Sequence, residues 1–329
     1  MKGAQQHGYR IERYTAEKLA EWDSFVDSSR NGTFLHKRGY MDYHAHRFVD
    51  HSLMFYHNGE LAAVLPAHIK EESFCSHNGL TYGGLLLCNG TTTAGVLEIF
   101  EATQEYLKEN TAATRIIYKP TPHIYHSYLC EEDLYALFRY GAALTERKVS
   151  SAIPLKEPLP ISGRRKLTGK AKSRLNIVED GDLATFWNIL SERLQEKYDT
   201  APVHSIEEIS LLKSRFPNNI KLFCIADNDG KTLGGVVLFI TGKVVHMQYS
   251  ATTEEGRRTS ALDYLYEVLI NERFADKEYF DFGISVEDGG RYLNNGLIAY
   301  KERLGGRAVV YDTYTIDLKR MADDKILRP

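Results

Sequence analysis

The chain has 329 residues, enough for two domains of ordinary size, and its 43% apolar content is that of a globular protein. Forty-one Lys and Arg oppose 44 Asp and Glu, a formal charge of -3. This balance gives no global attraction to DNA or to an anionic membrane, so any polyanion must be met locally. Apolar runs such as Gly234–Ile240 are far shorter than the ~20 residues of a bilayer crossing, and the start from Met1 to Tyr14 lacks the apolar segment of a secretory signal. Cys75, Cys88, Cys130 and Cys224 form no C-x-x-C pair. A reduced, cytoplasmic protein with no membrane span is expected.

Taken in chain order, Thr15–Ser28 has the apolar period of an amphipathic helix and carries Trp22. Leu53–Ile69 reads as a hairpin about an Asn-Gly turn, Ser76–Leu87 as a third strand, Ala94–Asn110 as a helix and Thr114–Tyr118 as a short strand. Lys156–Arg174 follows, where Pro158 and Pro160 favour an extended path and Gly163 and Gly169 loosen it. The same order then recurs: a helix at Asp182–Tyr198 carrying Trp187, an Asp-Gly hairpin at Leu222–Ile240, a strand at Val244–Thr252, a helix at Thr259–Phe274 and a strand at Glu278–Phe282. Similar order at a nearly constant offset predicts one unit written twice. The expected divisions are a first domain over 1–156, a basic linker over 157–174, a second domain over 175–318 and a polar tail over 319–329. Within the linker, Arg164, Arg165, Lys166, Lys170, Lys172 and Arg174 concentrate positive charge. They are either a solvated connection or an anion contact, with Arg164 and Arg165 offering forked donors to an acceptor's phosphate.

The strand, helix and strand order of each half resembles the GNAT acyltransferase fold, an α/β arrangement with a mixed, mostly antiparallel sheet flanked by helices. In that fold one strand splays from its neighbour, so that unpaired backbone groups hold an acyl donor, and the next helix receives a pyrophosphate at its N-terminus. Two further pieces, Tyr279–Ser285 (YFDFGIS) and Tyr300–Tyr311 (YKERLGGRAVVY), are spaced as in FemAB-like proteins, which resemble two GNAT folds in tandem. The resemblance implies an enzyme that moves an acyl or aminoacyl group to an amine or hydroxyl of a cell-envelope sugar or peptide precursor. Acyl-CoA or aminoacyl-tRNA would be the co-substrate, tRNA entering only as donor, with no tightly bound cofactor and no DNA partner. The alternative is a non-catalytic tandem module that binds a nucleotide-sugar or polysaccharide intermediate.

Candidate site residues follow. A CoA-binding GNAT loop reads Q/R-x-x-G-x-G/A, whereas Thr253–Ser260 supplies only Gly256, with Arg257 and Arg258 available to bind phosphate by charge and Tyr249 adjoining the loop as a donor-lining residue. Many GNATs place a tyrosine four residues before a helix-terminal glycine to protonate the leaving thiolate. Here Lys301 stands four before Gly305, with Tyr300 beside it, and a lysine there neutralises phosphate or a developing oxyanion. Strict alternation along Val244–Thr252 predicts that His246, Gln248 and Ser250 share one face and Met247 and Tyr249 the other, with His246 as a base. Asp281 is either a base and substrate-orienting group or a turn residue. In the first half, Thr33–His44 (TFLHKRGYMDYH) resembles the F-x-Q-S-x-x-W-x-x-x-K segment with which peptidoglycan-precursor transferases hold their acceptor. Phe34 matches, while Tyr40 replaces tryptophan and His44 replaces lysine. His44 is either an acceptor-binding group or a surface histidine. The twelve histidines are scattered, H-E-x-x-H is absent, and no metal site is expected.

Overall fold

A computed structural model describes residues 8–158 and 172–321. Arg164, Arg165 and most of the predicted linker, together with nearly all of the tail, lie outside the described residues. The chain divides into two compact units. The first comprises residues up to Lys148, Asp288–Arg291 and the chain from Val310 on; the second comprises Val149–Glu287 and Tyr292–Val309. The division therefore falls inside the strand Ala143–Pro154, not at 156/157, and the strand Arg307–Asp317 also serves both units.

In the first unit, Tyr9–Arg13, Leu53–His57, Glu60–Leu65 and Leu86–Leu87 form one antiparallel sheet. The hairpin turns at Asn58 and Gly59, with φ of 52° and 86°, the pair of positive values a two-residue hairpin loop requires. Beside it, His68–Lys70 pairs with Ser73–Cys75, which runs parallel to Arg115–Tyr118. The helix Thr93–Asn110 is capped by the Thr92 hydroxyl, which accepts from the Gly95 N–H. Its apolar stripe, Val96, Ile99, Phe100 and Leu107, is buried with Leu53, Phe55, Ala63, Phe74 and Ile116 in one core. The predicted third strand Ser76–Leu87 is not formed as such. Only its last two residues, Leu86 and Leu87, lie in a strand, while Ser73–Cys75 just before it does the pairing, because His77 and Gly84 take positive φ (58° and 78°) and break the extended run between them.

In the second unit, Leu175–Glu179, Ile220–Asp227, Thr232–Ile240 and Val244–Thr252 pair in sequence as antiparallel neighbours. Tyr279–Ile284 then lies parallel to Val244–His246 and antiparallel to the Ser150–Pro154 end of its other neighbour. Asp182 caps the helix Leu183–Tyr198, and a Ser205–Glu208 capping box opens Ile206–Arg215. The helix predicted over Thr259–Phe274 is interrupted. A short helix Glu254–Arg258 ends at Thr259, Ser260 adopts φ 54°, and Ala261–Val268 resumes before a wider turn at Leu269–Arg273. Phe223, Val236, Leu238, Val245, Leu265, Tyr266, Phe280 and Phe282 form the core.

Candidate active site in the second unit

The strands Val244–Thr252 and Tyr279–Ile284 are in register only at Val244–Tyr279, Val245–Phe280 and His246–Asp281. Past that last pair no further pairing joins them, and the backbone of Met247–Thr252 that faces away from Thr232–Ile240 has no strand alongside it among the described residues. Two irregularities drive the strands apart. The register with Thr232–Ile240 shifts between Val237–Tyr249 and Leu238–Met247, which leaves Gln248 as a bulge. A second shift, between Asp281 and Ile284, contains Gly283 at φ 75°, a conformation that suits glycine.

The bulge corrects the predicted faces. Met247 and Ser250, expected on opposite sides, both meet the Tyr266 hydroxyl, at 3.2 Å from Met247 Sδ and 2.5 Å from Ser250 Oγ. One extra residue inverts the alternation, so Tyr249 emerges away from Tyr266. It packs edge-on to Trp187 and its hydroxyl contacts the His204 ring and accepts the His204 N–H. Tyr249 is 9% exposed, and burial raises its pKa. Tyr249 is thus a packed, hydrogen-bonded residue of this face.

At the point where the strands part, His246 Nδ1 lies 2.8 Å from Asp281 Oδ2. Asp281 is fully buried, and its other oxygen accepts from Ser150 Oγ–H at 2.5 Å and from the Gly283 N–H at 3.0 Å. A carboxylate only accepts, so His246 carries its proton on Nδ1 and presents Nε2 as the basic nitrogen. The His246 side chain keeps 13% of its surface in contact with solvent.

Lys301 sits behind this pair and is not the open cation expected from sequence. It is 3% exposed, and its ammonium donates to the carbonyls of Gly283 and Ile284, both at 2.7 Å. Burial lowers its pKa to about 8, with Asp281 pulling the other way. Lys301 therefore fixes the backbone that follows Asp281. Lys301→Met is expected to leave two carbonyls without a donor and to cost about 2–4 kcal/mol of stability, read as a lowered denaturation midpoint. Tyr300 donates to Asp263 Oδ1 at 2.8 Å, and burial, with Tyr266 and Asp263 nearby, raises its pKa far above the usual phenol value. Its proton is committed to Asp263 rather than offered to a leaving group.

The predicted donor loop is also corrected. The Gly256 N–H donates to the Thr253 hydroxyl at 3.1 Å, and a Cβ at Gly256 would come within 2.4 Å of the Leu233 carbonyl oxygen. The glycine is there for close packing and does not offer its amide to a phosphate. The first turn of this short helix carries Glu254 and Glu255; Arg258 pairs with Glu254, and Lys231 with Glu255. Arg257 is exposed.

In the first unit the segment around Ser76–Leu85 and Ile117–Lys119 is joined by hydrogen bonds. Ser76 N–H donates to the Ile117 carbonyl, Lys119 N–H to Ser76 Oγ, Gly83 N–H to the Lys119 carbonyl and Leu85 N–H to the Tyr118 hydroxyl, at 2.6–3.0 Å. His44, offered as an acceptor-binding or surface residue, is 2% exposed; its Nδ1 lies 2.6 Å from the Met41 carbonyl, and its ring stacks on Tyr43 and His77. Tyr40 is 3% exposed, edge-on to Phe34 and Tyr43. Both are core residues, because Thr33–His44 coils into short helical turns that bury Phe34, Tyr40, Met41 and His44 together. Ser150 is the site residue that sequence reasoning missed. It lies on the strand Ala143–Pro154, outside the predicted repeat, and a serine pair, Ser150 and Ser151, at the end of a mixed polar strand gives no signal.

Among the described residues no group of three or more His, Cys, Asp or Glu is arranged to hold a metal ion, and no helix is long and apolar enough to cross a membrane.

Residues 162–302 match the family model described as an acetyltransferase (GNAT) domain. No curated protein matches. Among solved structures, FemX is 14% identical with a TM-score of 0.62, over 92% of this chain and 96% of that one. The C-terminal DUF2156 domain of a proposed lysylphosphatidylglycerol synthetase from Agrobacterium fabrum is 15% identical with a TM-score of 0.57, over 93% of each chain. A tandem GNAT protein from the clavulanic acid biosynthesis pathway is 12% identical with a TM-score of 0.53, over 94% of this chain and 98% of that one. The parted strands of the second unit lie within the segment that matches the GNAT family model, and the chain shares its α/β fold with FemX.

Proposed function

We propose that the second unit is an acyltransferase active site in which His246 is the general base. The observation that carries this reading is the coincidence of the His246–Asp281 pair with the point where the two strands part. A donor carbonyl lying against the backbone of Met247–Thr252 would have N–H groups at hand for the oxyanion. His246 Nε2 takes the proton from an acceptor amine or hydroxyl as the new bond to the carbonyl carbon forms. The bond to the leaving thiol or ribose oxygen then breaks, and the same proton returns to that atom.

GNAT acetyltransferases use acyl-CoA as a co-substrate with no tightly bound cofactor. In this chain the acidic first turn at Glu254 and Glu255 and the occupied Gly256 amide oppose a pyrophosphate, which favours an ester donor such as aminoacyl-tRNA over acyl-CoA. The acceptor class, a cell-envelope sugar or peptide precursor, rests on the FemAB-like spacing of Tyr279–Ser285 and Tyr300–Tyr311. The same crowded loop supports the second reading, a non-catalytic module that binds a nucleotide-sugar or polysaccharide intermediate. Calorimetric titration and product analysis with acetyl-CoA, aminoacyl-tRNA and UDP-sugars separate them. Acyl product from an ester donor, with weak acetyl-CoA binding, is the expected result, and binding of a UDP-sugar without product from any donor would establish the second reading.

A further inference from the structure

We infer that Ser150 is a positioning residue for the His246 base, acting through Asp281; this rests on the reading of His246 given above. Ser150 is fully buried, so its hydroxyl cannot meet a substrate and is no nucleophile. It donates to Asp281 Oδ1 while Asp281 Oδ2 receives the His246 Nδ1–H, so the two oxygens of one carboxylate join the two side chains. The three residues come from three adjacent strands: Asp281 is level with His246 on one side and with Ala152 on the other, and Ser150 lies two residues from Ala152 on the same face.

This arrangement exists because of the irregularity at Gly283. With a regular antiparallel register, the residue opposite Ser150 would be Gly283, two residues on from Asp281; the shift makes it Ile284 instead. The Gly283 N–H then turns back to Asp281 Oδ1 beside the serine hydroxyl, and Lys301 holds the next two carbonyls in place. Asp281 is thus fixed in rotation by two donors on one oxygen, which aims the other oxygen at His246 and fixes the imidazole tautomer. Loss of the Ser150 hydroxyl removes one of those two donors and concentrates the carboxylate charge toward the imidazole.

Ser150→Ala tests this, with thermal melting as the control for folding. Turnover is expected to fall about 10- to 100-fold, the range of a lost hydrogen bond to a charged group. The kcat/KM pH profile should differ from that of the parent chain. The downfield Nδ1–H proton resonance of His246 should shift, a readout that a merely structural serine would not move. If the alanine variant does not fold, Ser150→Cys keeps a weak donor in nearly the same volume and should give the same changes at smaller size. An unchanged pH profile and an unchanged Nδ1–H resonance in the folded variant would overturn the inference. The reading of His246 fails separately, if His246→Gln turns over normally; the resonance measurement needs no turnover and still decides whether Ser150 acts on the histidine.

Discussion

His246→Gln is expected to lower acyl transfer by about 10²–10⁴-fold while leaving the melting temperature near that of the parent chain. The size follows from the role: without a base, the acceptor must lose its proton to water while its bond to the carbonyl carbon forms. Glutamine keeps much of the volume and can donate to Asp281 Oδ2 through its amide, so the buried carboxylate is not left unpartnered on that side. Turnover is measured with the donor identified by the titrations above, together with the melting curve. Parent-like turnover in the folded variant would remove His246 from the chemistry.

The second large effect concerns stability in acid and arises in the first unit. Three histidines there, His36, His68 and His77, are at most 3% exposed. Burial lowers the pKa of His36 and His68 to about 4 and that of His77 to about 2; at His68 the positive charge of Lys119 adds to it, and at His77 the neighbouring His44 and His68 do. Their folded values lie below the unfolded value near 6.5, so below that pH the unfolded chain binds more protons than the folded one. The stabilisation from keeping these rings neutral is therefore complete above pH 6.5 and is lost as the pH falls toward 4, with His77 still contributing below that. Each group costs at most about 1.4 kcal/mol per pH unit in this window, so acidification from 6.5 to 4.5 would remove several kcal/mol, a large part of the stability of a domain. Urea denaturation followed by circular dichroism at pH 7, 6 and 5 should give a steeply falling midpoint. His77→Asn keeps a side chain tolerant of the positive φ at that position and does not titrate, so it should reduce the slope by about a third. A flat profile between pH 7 and 5 would mean that these histidines titrate normally.

Much of the architecture was legible in the residues because it depends on local order. Both hairpins and the helices at Leu19–Ser28, Thr93–Asn110 and Leu183–Tyr198 fall close to where apolar period, turn dipeptides and capping residues place them. Where the reading failed, backbone irregularities intervened. Positive φ at His77 and Gly84 dissolved the strand Ser76–Leu87, and Ser260 broke the helix over Thr259–Phe274. The bulge at Gln248 reversed the faces beyond it, a shift that side-chain alternation alone cannot reveal.

The sequence by itself determined most of the kinds of element and their order, and it singled out His246 and Asp281, two members of the proposed site, because periodicity and residue chemistry are properties of a short stretch. Tertiary structure decided what each polar group could do. Pairing across three strands brought Ser150 to Asp281 and His246, and burial turned Lys301 from an expected open cation into a donor to two carbonyls. Solvent access and hydrogen-bond partners fix the reactivity of an ionisable group, and both come from residues far away along the chain.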